Sequence, residues 1–225
     1  MNQKIIDLTM LIEEGMQTFA SHCHPIVEIT QLGRHGIENR ETKKIVLGTH
    51  TGTHIDAPRH FIKDGKTIEF IQLEQINGNA TVVDFSSCKD KTEITINDLK
   101  KELEGYSCER IVLRFDWDIK ALGSSRYYKD HPYLSESAAT WLVERGCKLI
   151  ALDTPQPDNP ENGFGTEKDA PVHKILLSNN VIIAEYLVNL SQITSKTIQL
   201  IVAPIKIKDG DGAPARCFAI EGVFS

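Results

Sequence analysis

The sequence is short of the features that mark several protein classes. It has only five cysteines and no CxxC pair, so it indicates neither a disulfide framework nor a thiolate zinc site. No run approaches the length of about 18 apolar residues that a membrane helix needs, and no long basic run offers a footprint for nucleic acid. With a net charge of −6, we expect a small-molecule partner and no binding to nucleic acid or membrane.

The first ten residues, MNQKIIDLTM, have no basic stretch followed by an apolar signal core. This predicts a cytoplasmic protein, in which the five thiols are reduced. Cys147 lies in the apolar stretch GCKLIALD and is most simply a core residue. Cys217 lies beside Arg216, a neighbour that could favour a thiolate, and its role stays open.

The composition, 40% hydrophobic and 25% charged, predicts one domain spanning residues 1–225. Short β-rich apolar runs outnumber helical patterns. The predicted strands cover 5–8, 27–32, 45–47, 80–85, 110–115, 149–152, 181–185 and 200–207, and the predicted helices cover 95–103, 135–145 and 170–178. Because the helices are too few to connect every pair of strands, we expect an α/β fold with a mixed, barrel-like sheet flanked by a few helices.

Residues 50–60 read HTGTHIDAPRH and hold three histidines and one aspartate within eleven positions. Neutral imidazoles and a carboxylate bind a borderline divalent metal and leave it open to water, whereas a cysteine cage would close it. The alternative is a solvated loop with three unrelated histidines. The density of these residues favours a catalytic metal site.

The β-branched stretch KKIVLGT, residues 43–49, predicts a strand that runs into this motif. His50, His54 and Asp56 would then share one face of the strand. On a flat strand His50 and His54 lie roughly 13 Å apart, near the limit for two imidazoles that bind one ion. We therefore expect Gly52 to bend the chain and bring the two rings together.

Pro58 should end this strand, because proline has no N–H for the ladder of hydrogen bonds. His60 then falls on the following loop or on a first helical turn. Its side chain is free to face the same pocket.

A catalytic metal needs ligands from more than one segment, and we favour His173 and Glu185. His173 follows the Pro-, Gly- and Asn-rich residues 153–169, whose composition predicts an active-site flank or lid. Glu185 interrupts the apolar run VIIAEYLVNL, where an unpaired carboxylate would be costly. Spacing alone leaves an alternative, in which Glu185 pairs with an arginine or a backbone amide and His173 caps a helix.

The motif HTGTHIDAPRH matches the H-x-G-T-H-x-D-x-P-x-H signature of the cyclase family of metal-dependent hydrolases, which includes bacterial kynurenine formamidases and isatin hydrolases. The chain resembles this family over nearly its full length. The other landmarks are IIDLT, GKTIE, the Tyr- and His-Pro-bearing residues 128–135, LDTPQPD at 152–158 and APIKIKDGDGAPAR at 203–216.

The resemblance implies that His50, His54 and Asp56 hold one ion, that Asp56 bridges, and that His173 and Glu185 complete a second. Five protein ligands exceed what one tetrahedral catalytic zinc takes while it keeps an open position. Isatin-hydrolase-like members hold a single manganese, so the count of one or two ions stays open. The all-nitrogen and oxygen ligand set permits zinc or manganese.

The resemblance also implies the reaction: hydrolysis of a C–N amide bond, in a formamide or cyclic amide, by metal-bound hydroxide in an arylformamidase-like enzyme. His60 is spare to the ligand set and suited to carry the proton to the leaving nitrogen, because imidazole titrates near neutral pH. Members of the family are commonly homo-oligomers, so a homodimer or homotetramer is expected.

Phe19, His22 and His24 fall where the early substrate-lining loop of the family lies. Residues 33–43, GRHGIENRETK, are polar and charged, unlike the shorter, Trp-bearing approach of kynurenine formamidases. The substrate therefore stays open. A cyclase, dehydratase or lactone hydrolase could use the same metal centre, and the non-enzyme alternative, a metal-stabilised binding protein, would have closed coordination.

Overall fold

The computed structural model describes residues 3–222, and the strand and helix bounds below refer to that part of the chain. The strands are β1 (Lys4–Asp7), β2 (Glu28–Gly33), β3 (Thr42–Val46), β4 (His54–Asp56), β5 (Gly78–Asp84), β6 (Glu93–Ile94), β7 (Arg110–Arg114), β8 (Tyr133–Leu134), β9 (Leu149–Leu152), β10 (Ile182–Glu185), β11 (Thr197–Pro204) and β12 (Gly212–Glu221). The α-helices are α1 (Leu73–Ile76), α2 (Ile96–Glu102), α3 (Trp117–Ala121), α4 (Arg126–Lys129), α5 (Glu136–Glu144) and α6 (Pro171–Ser178). Three 3-10 helices cover Pro58–His60, Ile68–Phe70 and Leu190–Gln192.

Seven strands close into a barrel. Around the ring they follow the order β12, β11, β5, β7, β9, β10 and β4, and β4 closes the ring by pairing with β12. The pairs from β5 to β10 are parallel and the others are antiparallel. β1 adds to β12 outside the ring, and β2 with β3 forms a separate hairpin. The predicted mixed, barrel-like α/β fold is confirmed.

Strand alternation divides the apolar core in two. Along each strand, side chains point alternately to the two faces of the sheet. Those on the inner face, such as Ile55, Ala151 and Ala184, fill the barrel. Those on the outer face, such as Ile150 and Ile183, pack in a second cluster with α2, α5 and α6. A side chain next to Ile55 or Ala184 on its strand therefore points out of the barrel towards the helix layer.

The predicted strands and long helices all form, each with its bounds shifted by at most a few residues. Thr95 caps α2 with a capping box, and the Ser135 side chain caps α5 by accepting the N–H of Ala138. The short helices α1, α3 and α4 were not predicted, since one helical turn carries too little periodicity to be read from sequence. The single-domain assignment stays a prediction, and no described helix is long and apolar enough to cross a membrane.

Candidate active site

β4 supplies two of the predicted ligands, and its neighbours fix where they point. Ile55 faces the barrel interior, so His54 and Asp56 point outward by alternation. In the register of β4 with β10, His54 lies directly opposite Glu185. On the other side of β4, Asp56 lies opposite Gly212. His54 and Asp56 are at most 1% exposed.

His50 does not lie on this strand, which corrects the prediction of one strand running from residue 43 into the motif. β3 ends at Val46, and His50 lies in a turn before β4. Gly52 makes the predicted bend with φ +59°, in the left-handed region that favours glycine. A Cβ on Gly52 would lie 2.6 Å from Ile12 Cδ1, so another residue in this turn would also displace the end of the Ile12 side chain. The turn, and not a strand face, brings His50 to the site.

Pro58 opens the 3-10 helix that ends the strand, as predicted. This helix carries His60, whose ring stacks on that of His50 with a centroid distance of 3.8 Å and an interplanar angle of 29°. Phe61 packs edge-on against His60 at 4.4 Å. His60 therefore stands beside the predicted ligands and lines the same cavity.

α6 and β10 bring His173 and Glu185 to the same place. Glu185 is two residues from Ile183 on β10, so both side chains point towards the helix layer. His173 lies there, in the first turn of α6. His173 Nε2 lies 3.1 Å from Glu185 Oε1 and 3.2 Å from Asp56 Oδ2. Glu185 Oε2 lies 3.4 Å from His54 Nε2. The structure thus gathers all five predicted ligands.

Two donor groups share Asp56: one adds His50 and His54, and the other adds His173 and Glu185. In each group the donor atoms lie within 4.8 Å of one another. His54 Nε2 and both Asp56 carboxylate oxygens are buried without a hydrogen-bond partner among the described residues. Donors bound about 2.0–2.1 Å from one tetrahedral ion lie about 3.3 Å apart, which is the separation of His54 Nε2 from Asp56 Oδ1. The residues fit a divalent metal.

The pKa shifts show how the chain balances this cluster. Burial lowers the pKa of His50, but Asp56 and Asp211 outweigh it and raise the pKa to about 10. Burial raises the pKa of Asp56, but the imidazoles of His50, His60 and His173 together outweigh it and hold the pKa well below its usual range. The pKa of Glu185 is raised by burial and by the charge of Asp56. The carboxylates therefore need positive charge, which protonated imidazoles supply here and which a divalent ion would supply in their place.

Two further carboxylates complete the site, and sequence analysis missed both. Asp158 Oδ2 lies 2.5 Å from His173 Nδ1, and Asp158 also accepts the backbone N–H groups of Val172 and His173. Asp211 Oδ2 lies 2.9 Å from His50 Nε2. Both residues stand in segments noted as family landmarks, LDTPQPD and DGAPAR, so the signal was present without an assigned role.

A cavity of about 330 Å³ opens onto this cluster. Its aromatic lining residues are Phe19, His24, His50, His54, His60, Phe61, Tyr128, Phe164, His173 and Tyr186. Residues 153–169 contribute Gln156, Asn159 and Asn162 among others, in agreement with the predicted flank or lid. A flat aromatic group would find stacking partners on several sides.

Two of the three predicted substrate-binding residues line the cavity. Phe19 and His24 line the cavity, with a ring-centroid distance of 5.4 Å between them. His22 is exposed and lies outside the cavity lining, with its Nε2 3.2 Å from Cys23 Sγ. His22 still packs edge-on against Phe164, a ring of the cavity lining, with a centroid distance of 6.4 Å. Phe19, His22 and His24 therefore stay predicted substrate contacts.

The cysteines differ in their positions, and Cys23 is the one among the described residues that lines the cavity. All five are free, and Cys147 is a core residue as predicted. Cys217 is fully buried, and burial raises the pKa of its thiol to about 12. A thiol protonated at neutral pH is a poor nucleophile, so the neighbouring Arg216 does not activate it.

Comparison with known proteins identifies the family. The sequence model described as "Putative cyclase" matches residues 6–159, more than half of the chain. The chain belongs to this cyclase family. A kynurenine formamidase of Bacillus mycoides is 32% identical over 177 residues, which are 77% of each chain, and one of Bacillus cereus is 32% identical over 176.

Solved structures of cyclase-family proteins extend the similarity to the rest of the chain. An isatin hydrolase bound to the product analogue thioisatinate has a TM-score of 0.86 and 25% identity, and covers 97% of this chain and 92% of its own. Isatin hydrolase A from Labrenzia aggregata has a TM-score of 0.87 and 26% identity, over 97% and 93% of the two chains. A potential metal-dependent hydrolase with cyclase activity has a TM-score of 0.79 and 26% identity, over 98% of both. The covered region includes α6 and β10, which carry His173 and Glu185.

Proposed function

We propose that this cyclase-family chain is a metal-dependent amidohydrolase that cleaves a C–N amide bond in a small aromatic molecule, either a formamide or a cyclic amide. One observation carries the proposal: two donor groups that share Asp56 open onto a cavity with aromatic walls. Relatives named kynurenine formamidase and neighbours named isatin hydrolase support it, because both names denote hydrolysis of an amide beside an aromatic ring.

We propose that two ions bind, each zinc or manganese. His50 and His54 would hold one, His173 and Glu185 the other, and Asp56 would serve both, because its two oxygens face different donor groups. The chemistry that divalent ions supply in such a site is Lewis acidity, which activates water and polarises a carbonyl group. An N and O donor set suits either metal.

His60 is the proton carrier in this proposal. Burial lowers the pKa of His60, against the opposing effect of Asp56, so the imidazole is neutral near pH 7 and can accept a proton. In the hydrolysis the oxygen of water bonds to the carbonyl carbon, the C–N bond breaks, and a proton from the water must reach the leaving nitrogen. His60 lines the cavity beside the donor groups and can take that proton and then deliver it.

The aromatic lining would orient the substrate. Phe19 lies 5.8 Å from Tyr128 and 6.4 Å from Phe164 between ring centroids, so three rings from three segments surround one side of the cavity. A planar aryl group held between such rings places its amide towards the donor groups.

Substrate assays on the zinc- and manganese-loaded protein test the proposal. The panel contains N-formylkynurenine, formanilide, isatin, a cyclic imide and an aryl lactone, with metal content measured on the same samples. Turnover of a formamide or of isatin is the expected result. Turnover of the lactone alone would favour the lactone-hydrolase alternative, and stoichiometric metal without turnover of any compound would favour a binding protein.

His60→Ala separates the proton carrier from a ligand. We expect turnover to fall about 10²- to 10⁴-fold, the usual contribution of a general acid–base, while the metal content stays that of the wild type. His35→Ala, at an exposed histidine outside the cavity, is the matched control. Loss of metal from His60→Ala would instead make His60 a ligand and contradict this assignment.

A further inference from the structure

Asp211 stands at the junction of two groups with different proposed roles. Its Oδ2 lies 2.9 Å from Nε2 of His50, a proposed ligand, and 3.4 Å from Nδ1 of His60, the proposed proton carrier. The two imidazoles are stacked on each other, so one carboxylate oxygen reaches a nitrogen of each. Asp211 itself does not line the cavity.

Two backbone contacts with the segment 54–57 hold Asp211 in this position. The carbonyl oxygen of Asp211 accepts the N–H of Ala57 at 2.9 Å. The next residue, Gly212, starts β12 and pairs with Asp56 in the sheet. A Cβ on Gly212 would lie 2.7 Å from His50 Cε1, so the glycine lets the chain pass directly beside the imidazole. The contact of Asp211 with His50 is therefore built into the closure of the barrel.

The two nitrogens of His50 differ in their contacts. Nε2 forms a hydrogen bond with Asp211 Oδ2, in which the carboxylate accepts and Nε2–H donates. Nδ1 lies 2.7 Å from Asp56 Oδ1, which has no hydrogen-bond partner among the described residues, so Nδ1 is the nitrogen that faces the metal group. In the same way, a His60 that carries its proton on Nδ1, next to Asp211, has the lone pair on Nε2. In metal sites the outer partner of a histidine fixes its tautomer and orientation in this manner.

We propose that Asp211 is a positioning residue that sets the tautomers of His50 and His60 together, so that His50 presents Nδ1 to the metal group and His60 presents Nε2 for proton transfer. This inference rests on the proposed function for the role of His60. It predicts that one substitution, outside the cavity lining, changes both metal binding and proton transfer.

Asp211→Ala and Asp211→Asn test the proposal, with Asp209→Asn as the matched control. Asp209 lies two residues earlier in the same segment, is exposed, and has a positive φ that asparagine tolerates. The first readout is the histidine ¹⁵N spectrum of the zinc-loaded protein, with the His60 signals identified through His60→Gln. We expect an Nδ1–H tautomer for His60 in the wild type and in Asp209→Asn, and loss of its dominance in Asp211→Ala.

The second readout is zinc affinity measured by competition with a chelator, which we expect to fall about 10- to 100-fold in Asp211→Ala. A fall of similar size is expected in kcat, with KM unchanged, because Asp211 does not contact the cavity. Asp211→Asn, which keeps the size and one acceptor oxygen, should lie between Asp211→Ala and the control.

The proposal is overturned if the His60 signals and zinc affinity of both Asp211 variants equal those of Asp209→Asn. Should Asp211→Ala fail to fold, Asp211→Asn carries the same comparison. The tautomer and affinity readouts need no substrate. A wild type that hydrolyses no compound of the panel would therefore contradict the proposed function while the spectra still decide the role of Asp211.

Discussion

The floor of the cavity and its mouth are built from different kinds of structure. On the floor, His54 and Glu185 stand on neighbouring strands and His173 on a helix, and none is more than 4% exposed. At the mouth, Phe19 and Phe164 lie on segments without helix or strand, and Phe164 is 56% exposed. Sheets and helices hold side chains to a fixed geometry, whereas loops tolerate change in sequence and length. We therefore expect the barrel to fix the chemistry and the loops to select the substrate.

Asp56→Asn should have the largest effect, because it removes the one carboxylate that both donor groups share. An amide has one acceptor oxygen and no charge, so it cannot replace a carboxylate that serves two groups. We expect loss of bound metal and a fall in turnover greater than the roughly 100-fold that removal of an outer partner costs. Metal analysis and steady-state kinetics measure both.

The matched control for this variant is Asp64→Asn, whose carboxylate is 93% exposed and eight residues further along the chain. It should keep the metal content and turnover of the wild type. If Asp56→Asn also keeps its metal, then the floor is not the rigid metal site that the comparison with the mouth assumes.

Much of this floor is predictable from sequence. Strand alternation and a proline place His54, Asp56 and His60, and a carboxylate within an apolar run marks Glu185. These signals are local, and the structure brings their residues together. The family resemblance adds the pairing of Glu185 with His173 as ligands of a second ion.

The parts that sequence did not predict depend on contacts between distant segments. The turn that carries His50 is held by Thr53, whose hydroxyl donates to the Tyr186 carbonyl and accepts the Met10 N–H. Asp211 lies 161 residues from His50 and meets it only because β12 closes the barrel against β4. The spacing of apolar residues along the sequence does not reflect such contacts. The sequence therefore predicted a strand through His50, where the structure has a turn.

His131 gives a prediction on stability. It lies three residues before Leu134, whose N–H donates to the Pro157 carbonyl in the 153–169 loop. His131 is fully buried, and its Nε2 has no hydrogen-bond partner among the described residues. Burial lowers the pKa of His131 from 6.5 to about 4. Protonation then favours the unfolded chain, so stability present above pH 6.5 is lost as the pH falls towards 4, by about 3 kcal/mol for this group.

His131→Gln should remove this contribution to the pH dependence. Urea unfolding at pH 7 and at pH 4 gives the free energy of unfolding of the wild type and the variant at each pH. We expect a shallower decline in the variant, whatever its stability at pH 7, because the amide does not titrate. Parallel declines would mean that His131 accepts its proton in the folded protein without the free-energy cost that its burial predicts.

Phe19→Ala tests the mouth itself and should have the smallest effect. Its ring packs near His24 and Tyr128 in the cavity lining, so its loss removes one aromatic surface from a bound aryl substrate. An aromatic contact of this kind contributes about 0.5–1.5 kcal/mol, which corresponds to a rise in KM of up to about tenfold. Metal content should not change, since no floor residue is touched.

Phe70→Ala, at an exposed phenylalanine outside the cavity, should leave KM unchanged. A fall in kcat with unchanged KM would place Phe19 in the alignment of the reacting bond, and the division between a catalytic barrel and a selective mouth would no longer hold.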